Sequence, residues 1–174
     1  MDLLERFFQG RLLVFIGLPK TGSTALHQYC LESEYLSTTT RKSTYFWIAD
    51  ETNAYIESKV PVTCSREYIS LFQVKADCRY YVEFCPDIIF FREEFLNRSK
   101  QLNYRPTTIL VTRSFDSFHK SFYTQLKRSE VSISSFKMNE LTRAAYVELI
   151  NQEVDYIDSY EDVFTSNKSD SVVL

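Results

Sequence analysis

Apolar and polar positions along this chain change period in blocks. Residues 12–17, Leu-Leu-Val-Phe-Ile-Gly, form an unbroken apolar run of strand length that stops at a glycine. Helical spacing follows over 22–33, where Leu26, Tyr29 and Cys30 supply an apolar face. Residues 37–44 read as a polar Ser/Thr loop. Helical patterns recur near 47–58 and 66–74, and a strand near 79–84 is closed by Pro86. A helix over 90–101 precedes a β-branched strand over 107–112. The next helix, 114–127, carries Phe115, Phe118, Phe122 and Leu126 on its apolar stripe. The pattern ends with a long helix over 139–164 and a polar loop over 165–171. Strands alternating with helices imply an α/β fold of three layers: a central, mainly parallel sheet flanked by helices, with ligands at the carboxyl ends of its strands.

Composition narrows the class. A chain of 174 residues that is 44% hydrophobic and 16% aromatic can bury one substantial core, and with no internal repeat or linker it reads as a single domain over 1–174. A net charge of −3 gives no basis for nucleic-acid binding through bulk charge, so an anion site must be a local concentration of Lys and Arg. No run approaches the ~18 apolar residues of a membrane span. The N-terminal stretch through Phe8 is too short and too acidic for a secretory signal, so cytoplasmic placement is expected, in a bacterial or viral setting. Cys30, Cys64, Cys78 and Cys85 lack CxxC pairing, which argues for free thiols rather than zinc.

Candidate chemistry concentrates where the first strand breaks. Gly17 and Gly22 lie five apart with Thr24 two further on, the spacing of a Walker A loop, yet Ser23 stands where that motif has lysine, and the lysine sits inside the loop as Lys20. A strand that delivers the chain to a glycine turn and then a helix points successive N–H groups at an anion, with the helix dipole in support. Ser23 and Thr24 add hydroxyl donors, and Lys20 adds a mobile charge. A nucleotide phosphate is the natural guest. The later strand ends on Arg113, where a P-loop NTPase has an aspartate for Mg²⁺, so no metal position is evident. The arginine fork instead suits a dianionic phosphate.

Gly17-Leu18-Pro19-Lys20-Thr21-Gly22-Ser23-Thr24-Ala25-Leu26 resembles the 5′-phosphosulfate loop of sulfotransferases that use 3′-phosphoadenosine 5′-phosphosulfate (PAPS), particularly bacterial and Golgi-type members. Arg113 and Ser121, eight residues on, are similar to the family's 3′-phosphate pair, a spacing just over two helical turns. The resemblance implies a P-loop-like fold, PAPS as co-substrate without a metal, and a carbohydrate or small-metabolite acceptor. It makes Lys20, Thr21, Gly22, Ser23, Thr24, Arg113 and Ser121 cofactor-binding, with Lys20 also stabilising charge on the leaving phosphate. It covers roughly the first two-thirds of a usual sulfotransferase. Ser171-Val172-Val173-Leu174 looks like the start of the strand after the long helix, and by that resemblance the family's C-terminal segment is expected to be lacking. The expectation is a minimal or truncated member, or one whose missing wall a partner supplies.

The base is where the chain departs from the family. Lys42-Ser43-Thr44-Tyr45-Phe46-Trp47 stands where many members carry Lys-Glu-Pro-His-Phe-Phe-like residues, so Ser43 replaces the glutamate proposed as base. Glu83-Phe84-Cys85-Pro86 matches a later Glu-Lys-Ser-Pro segment and keeps its glutamate, which makes Glu83 the candidate base. His27 and His119 are the other titratable candidates, with structural roles expected for both. Tyr45, Phe46 and Trp47 suit either an acceptor pocket or the core. The leading function is sulfuryl transfer from PAPS to a hydroxyl or amine. The alternative is a non-catalytic PAPS- or PAP-binding module, PAP being the 3′,5′-bisphosphate that transfer leaves behind. A P-loop nucleotide kinase is opposed by Ser23 and Arg113.

Overall fold

In the computed structural model, which describes residues 3–18, 20–49, 54–128, 148, 151 and 172–173, the apolar run at 12–17 becomes the centre of a parallel sheet. Its strand, β1 (Leu12–Gly17), follows a short helix α1 (Leu3–Phe8) and leads into α2 (Ser23–Glu32). An edge strand β2 (Leu36–Thr38), a 3₁₀ turn (Phe46–Ile48), α3 (Ala54–Glu57) and α4 (Ser65–Ser70) come before β3 (Tyr80–Phe84). A second 3₁₀ turn (Pro86–Phe90) leads to α5 (Arg92–Gln101), β4 (Thr107–Val111), α6 (Phe115–Arg128) and β5 (Val172–Val173). The strand order is β2-β3-β1-β4-β5, and each neighbouring pair runs parallel. This is the layered α/β arrangement that the alternating pattern implied.

Strand alternation explains the layers. Leu12, Val14 and Ile16 of β1 face the larger core, which gathers Leu4 and Phe8 of α1, Tyr68 of α4, Phe95 of α5 and Phe118 of α6. Leu13 and Phe15 face the other way, against Cys30 of α2 and Val82 and Phe84 of β3. Helices cover both faces, so β1 tolerates apolar residues at every position. The larger core is aromatic: Phe46 stacks on Tyr68 at 4.1 Å, and Phe8 meets Tyr68, Phe72 and Tyr81 edge-on.

Several expectations change in detail. The polar stretch at 37–44 begins as strand β2 rather than loop, because its hydroxyls find buried acceptors: Ser37 Oγ donates to the Gln73 carbonyl at 2.7 Å, and Thr38 Oγ1 to that of Val82 at 2.8 Å. The helical pattern at 47–58 resolves into the first 3₁₀ turn and α3, with 50–53 outside the described residues. The helix at 66–74 ends four residues early, at Ser70. Helix 139–164 lies outside the described residues except at Glu148 and Asn151, both helical, as does the loop at 165–171. Among the described residues no helix is long and apolar enough to cross a membrane, and no group of His, Cys, Asp and Glu is arranged to hold a metal. The four cysteines are free.

Gly17 is the residue on which the centre of the sheet depends. Its φ of 145° is unfavourable for any side chain, and a Cβ there would lie 2.3 Å from the Val111 carbonyl oxygen of β4. The ends of β1 and β4 therefore meet closely, with Gly17 in register with Val111. The two loops that leave those ends start side by side.

Candidate functional site

Above these strand ends lies a cleft of about 480 Å³, within the ~300–1,000 Å³ typical of ligand sites. The β1–α2 turn supplies one wall. Lys20 takes a left-handed conformation at φ 73°, and Gly22, the N-cap of α2, does so at φ 101°. A glycine cap has no side chain, so α2 starts without a side-chain cap, and Ser23 and Thr24 of its first turn line the cleft. Thr21 is different. Its hydroxyl donates back to the Leu18 carbonyl at 2.9 Å, bracing the turn rather than lining the cleft.

The opposite wall comes from the end of β4 and from α6. Arg113 donates through Nη1 to the carbonyl oxygen of Lys20 at 3.0 Å, and Ser121 of α6 joins it on the cleft surface. Lys20, Gly22, Ser23, Thr24, Arg113 and Ser121, all named from sequence, thus border one space. Two phosphate groups of a nucleotide would find separate cationic donors here, so the residues suit PAPS or PAP.

A third wall was only partly foreseen. Lys42 donates to Thr24 Oγ1 at 2.8 Å and lies within electrostatic reach of both Lys20 and Asp87. Partial burial pulls its ammonium below the usual lysine range, with Lys20 adding to that pull and Asp87 opposing it. Ser43 and Tyr45 flank it, both at left-handed φ (58° and 57°), and both line the cleft. Phe46 and Trp47 are core, with no solvent exposure. Asp87, in the 3₁₀ turn after β3, is the one carboxylate among the described lining residues. It was not singled out from sequence; the available signal was an acidic residue directly after the proline that ends a strand.

Glu83 requires a correction. The residue expected to act as base has no solvent exposure and does not border the cleft. Its carboxylate accepts hydrogen bonds from the hydroxyls of Thr44 and Tyr68 and from the Thr44 N–H at 3.3 Å. Trp47 Nε1 in turn donates to the Tyr68 hydroxyl at 2.9 Å. Burial raises the Glu83 carboxyl above the ordinary glutamate range, and the hydrogen bonds offset part of that shift. Glu83 therefore anchors rather than reacts: with Ser43, whose N–H and hydroxyl both bond the Phe84 carbonyl at 3.0 Å, it fastens the segment bearing Lys42 and Tyr45 onto β3. His27 is buried with Nε2 2.9 Å from the Thr39 carbonyl, and His119 is exposed and stacked on Phe115.

No protein-family model and no curated protein matches the sequence. Among solved structures, the fold is similar to a sulfotransferase from Alicyclobacillus acidocaldarius, with a TM-score of 0.60 over 92% of this chain and 72% of that one. Sequence identity between the two is 14%, so the likeness is one of architecture: this chain is built on the fold of a sulfotransferase.

Proposed function

We propose that this protein is a sulfotransferase that moves a sulfuryl group from PAPS to a hydroxyl or amine of a carbohydrate or small metabolite. The observation that carries the reading is the pairing of two anion-binding segments across one cleft, tied by the hydrogen bond from Arg113 to the Lys20 carbonyl. In this reading the uncapped start of α2, with Lys20, Ser23 and Thr24, receives the 5′-phosphosulfate, while Arg113 and Ser121 receive the 3′-phosphate. Attack on sulfur drives negative charge onto the oxygen bridging to the 5′-phosphate, and in this reading Lys20 stabilises that charge. Lys42, held on Thr24, adds a second cation beside that loop.

The test is ligand discrimination followed by turnover. PAP should raise the melting temperature more than AMP or ATP, without Mg²⁺, by an amount equivalent to ~2.7 kcal/mol at a ligand concentration about 100 times the dissociation constant. Stronger stabilisation by Mg-ATP would overturn the assignment. The burial of Glu83 favours one second reading, a PAP-binding module without transfer. Transfer of ³⁵S from labelled PAPS to any acceptor decides between the two.

A further inference from the structure

Sulfuryl transfer needs a group to receive the acceptor's proton, and the side chains around the cleft narrow the choice. Glu83 is enclosed and fully hydrogen-bonded. His27 is committed to the Thr39 carbonyl and does not border the cleft. Ser43 donates its hydroxyl proton to the Phe84 carbonyl. Tyr45 and Tyr55 are driven far above the usual phenol range, first by burial and then by the negative charge of Asp87, so both act as proton donors throughout. Lys42 faces the anion loop and donates to Thr24.

Asp87 is placed differently. Pro86 starts the 3₁₀ turn directly after β3, which sets the next side chain at the carboxyl end of a strand adjoining β1. Tyr45 donates to its Oδ2 at 2.8 Å and Tyr55 to the same oxygen at 3.3 Å. No donor among the described residues reaches Oδ1. One oxygen is thus held by two phenols from separate elements, on a carboxylate that lines the same cleft as Lys20 and Thr24. A carboxylate fixed at one oxygen and open at the other has the geometry of a positioned proton acceptor.

We propose that Asp87 is the catalytic base, its Oδ1 receiving the proton of the acceptor hydroxyl or amine, with Tyr45 and Tyr55 as positioning residues on Oδ2. The inference rests on the sulfotransferase reading. In the step, a lone pair of the acceptor forms the new bond to sulfur. The bond from sulfur to the bridging oxygen breaks with its electron pair retained by the 5′-phosphate, which gives PAP, and the acceptor's proton passes to Asp87.

The experiment uses the full chain and two readouts: PAP binding by calorimetry, and ³⁵S release from PAPS to water and to a panel of glycans and phenols. Asp87→Asn should keep PAP affinity within about threefold and lower ³⁵S transfer by roughly 10²- to 10⁴-fold. Added formate should restore part of the rate in Asp87→Ala, a response that loss of packing would not produce. If the Asp87 variants do not fold, Tyr45→Phe with Tyr55→Phe still tests the idea: freeing Oδ2 should slow transfer about tenfold at unchanged PAP affinity. Full transfer by Asp87→Asn, or no rescue by formate, overturns the base while leaving the enzyme reading intact. A wild-type protein that binds PAP yet releases no sulfate to any acceptor, water included, overturns it as well. Failure to prefer PAP over AMP overturns the reading on which it rests.

Discussion

Arg113 donates a hydrogen bond from Nη1 to the backbone carbonyl of Lys20 at 3.0 Å, joining segments 93 residues apart. The bond makes a side chain from the end of β4 part of the turn that follows β1. The turn after β1 is thereby braced by the arginine that follows β4.

Replacing Arg113 with Ala should erase discrimination between PAP and AMP, because only the 3′-phosphate separates these ligands. The affinity ratio should fall by about ten- to a hundredfold, the counterpart of the ~1.5–3 kcal/mol typical of a hydrogen bond to a charged group. Calorimetric titration of both ligands measures it. An unchanged ratio would mean that the 3′-phosphate is bound elsewhere.

Lys20→Ala separates binding from transition-state stabilisation. A donor aimed at charge that grows during the reaction contributes mainly to rate, so ³⁵S transfer should fall ~10²- to 10³-fold while PAP affinity changes by less than about tenfold. Equal losses in both would reassign Lys20 to ground-state binding.

Gly17→Ala tests the close approach of β1 to β4. The added methyl meets the Val111 carbonyl oxygen, and the backbone sits at a φ of 145°. Conformational strain and overpacking together should cost about 3 kcal/mol or more. Urea denaturation reads the loss directly, and an unshifted midpoint would contradict the contact.

Glu83→Gln should now behave as a change in stability. Because burial raises the Glu83 carboxyl in the folded protein above its usual value near 4.5, folding favours the protonated form. The stability that this preference contributes is complete below about pH 4.5 and is lost as pH rises through the folded-state value. Glutamine carries no such titration, so the wild-type advantage over Glu83→Gln should shrink as pH rises from 4.5, and melting temperatures across pH 4.5–8 would show it. A constant difference would rule out the titration. Transfer activity should stay within about threefold of wild type, since the carboxylate does not reach the cleft.

Much of the fold was legible because β1, β3 and β4 are short apolar runs bounded by Gly17, Pro86 and Arg113, signals that depend only on nearby residues. β2 was not, because the reason Ser37 and Thr38 extend lies in carbonyls of Gln73 and Val82, distant in sequence. α1 escaped notice for a similar reason: six residues give a weak period, and Leu4 and Phe8 declare themselves only when packed in the core. At the site, local spacing was enough to single out Lys20 and Arg113, which the fold brings to one cleft. It was not enough to sort Glu83 from Asp87, since sequence pattern records which carboxylate follows a motif but not which one Thr44 and Tyr68 enclose.

The register of β1 against β4 has a consequence for what the cleft can evolve to hold. Gly17 pairs with Val111, so the distance between the turn after β1 and the turn after β4 is set by adjacent strand ends in a hydrogen-bonded lattice, not by flexible loops. Side-chain substitutions around the rim can alter which acceptor enters. The span between Lys20 and Arg113 is far harder to change: one residue inserted into β4 would carry Arg113 about 3.3 Å along the sheet and turn it to the opposite face. The sheet is a fixed caliper, and ligands that keep its opening remain within reach of mutation while those that do not are shut out.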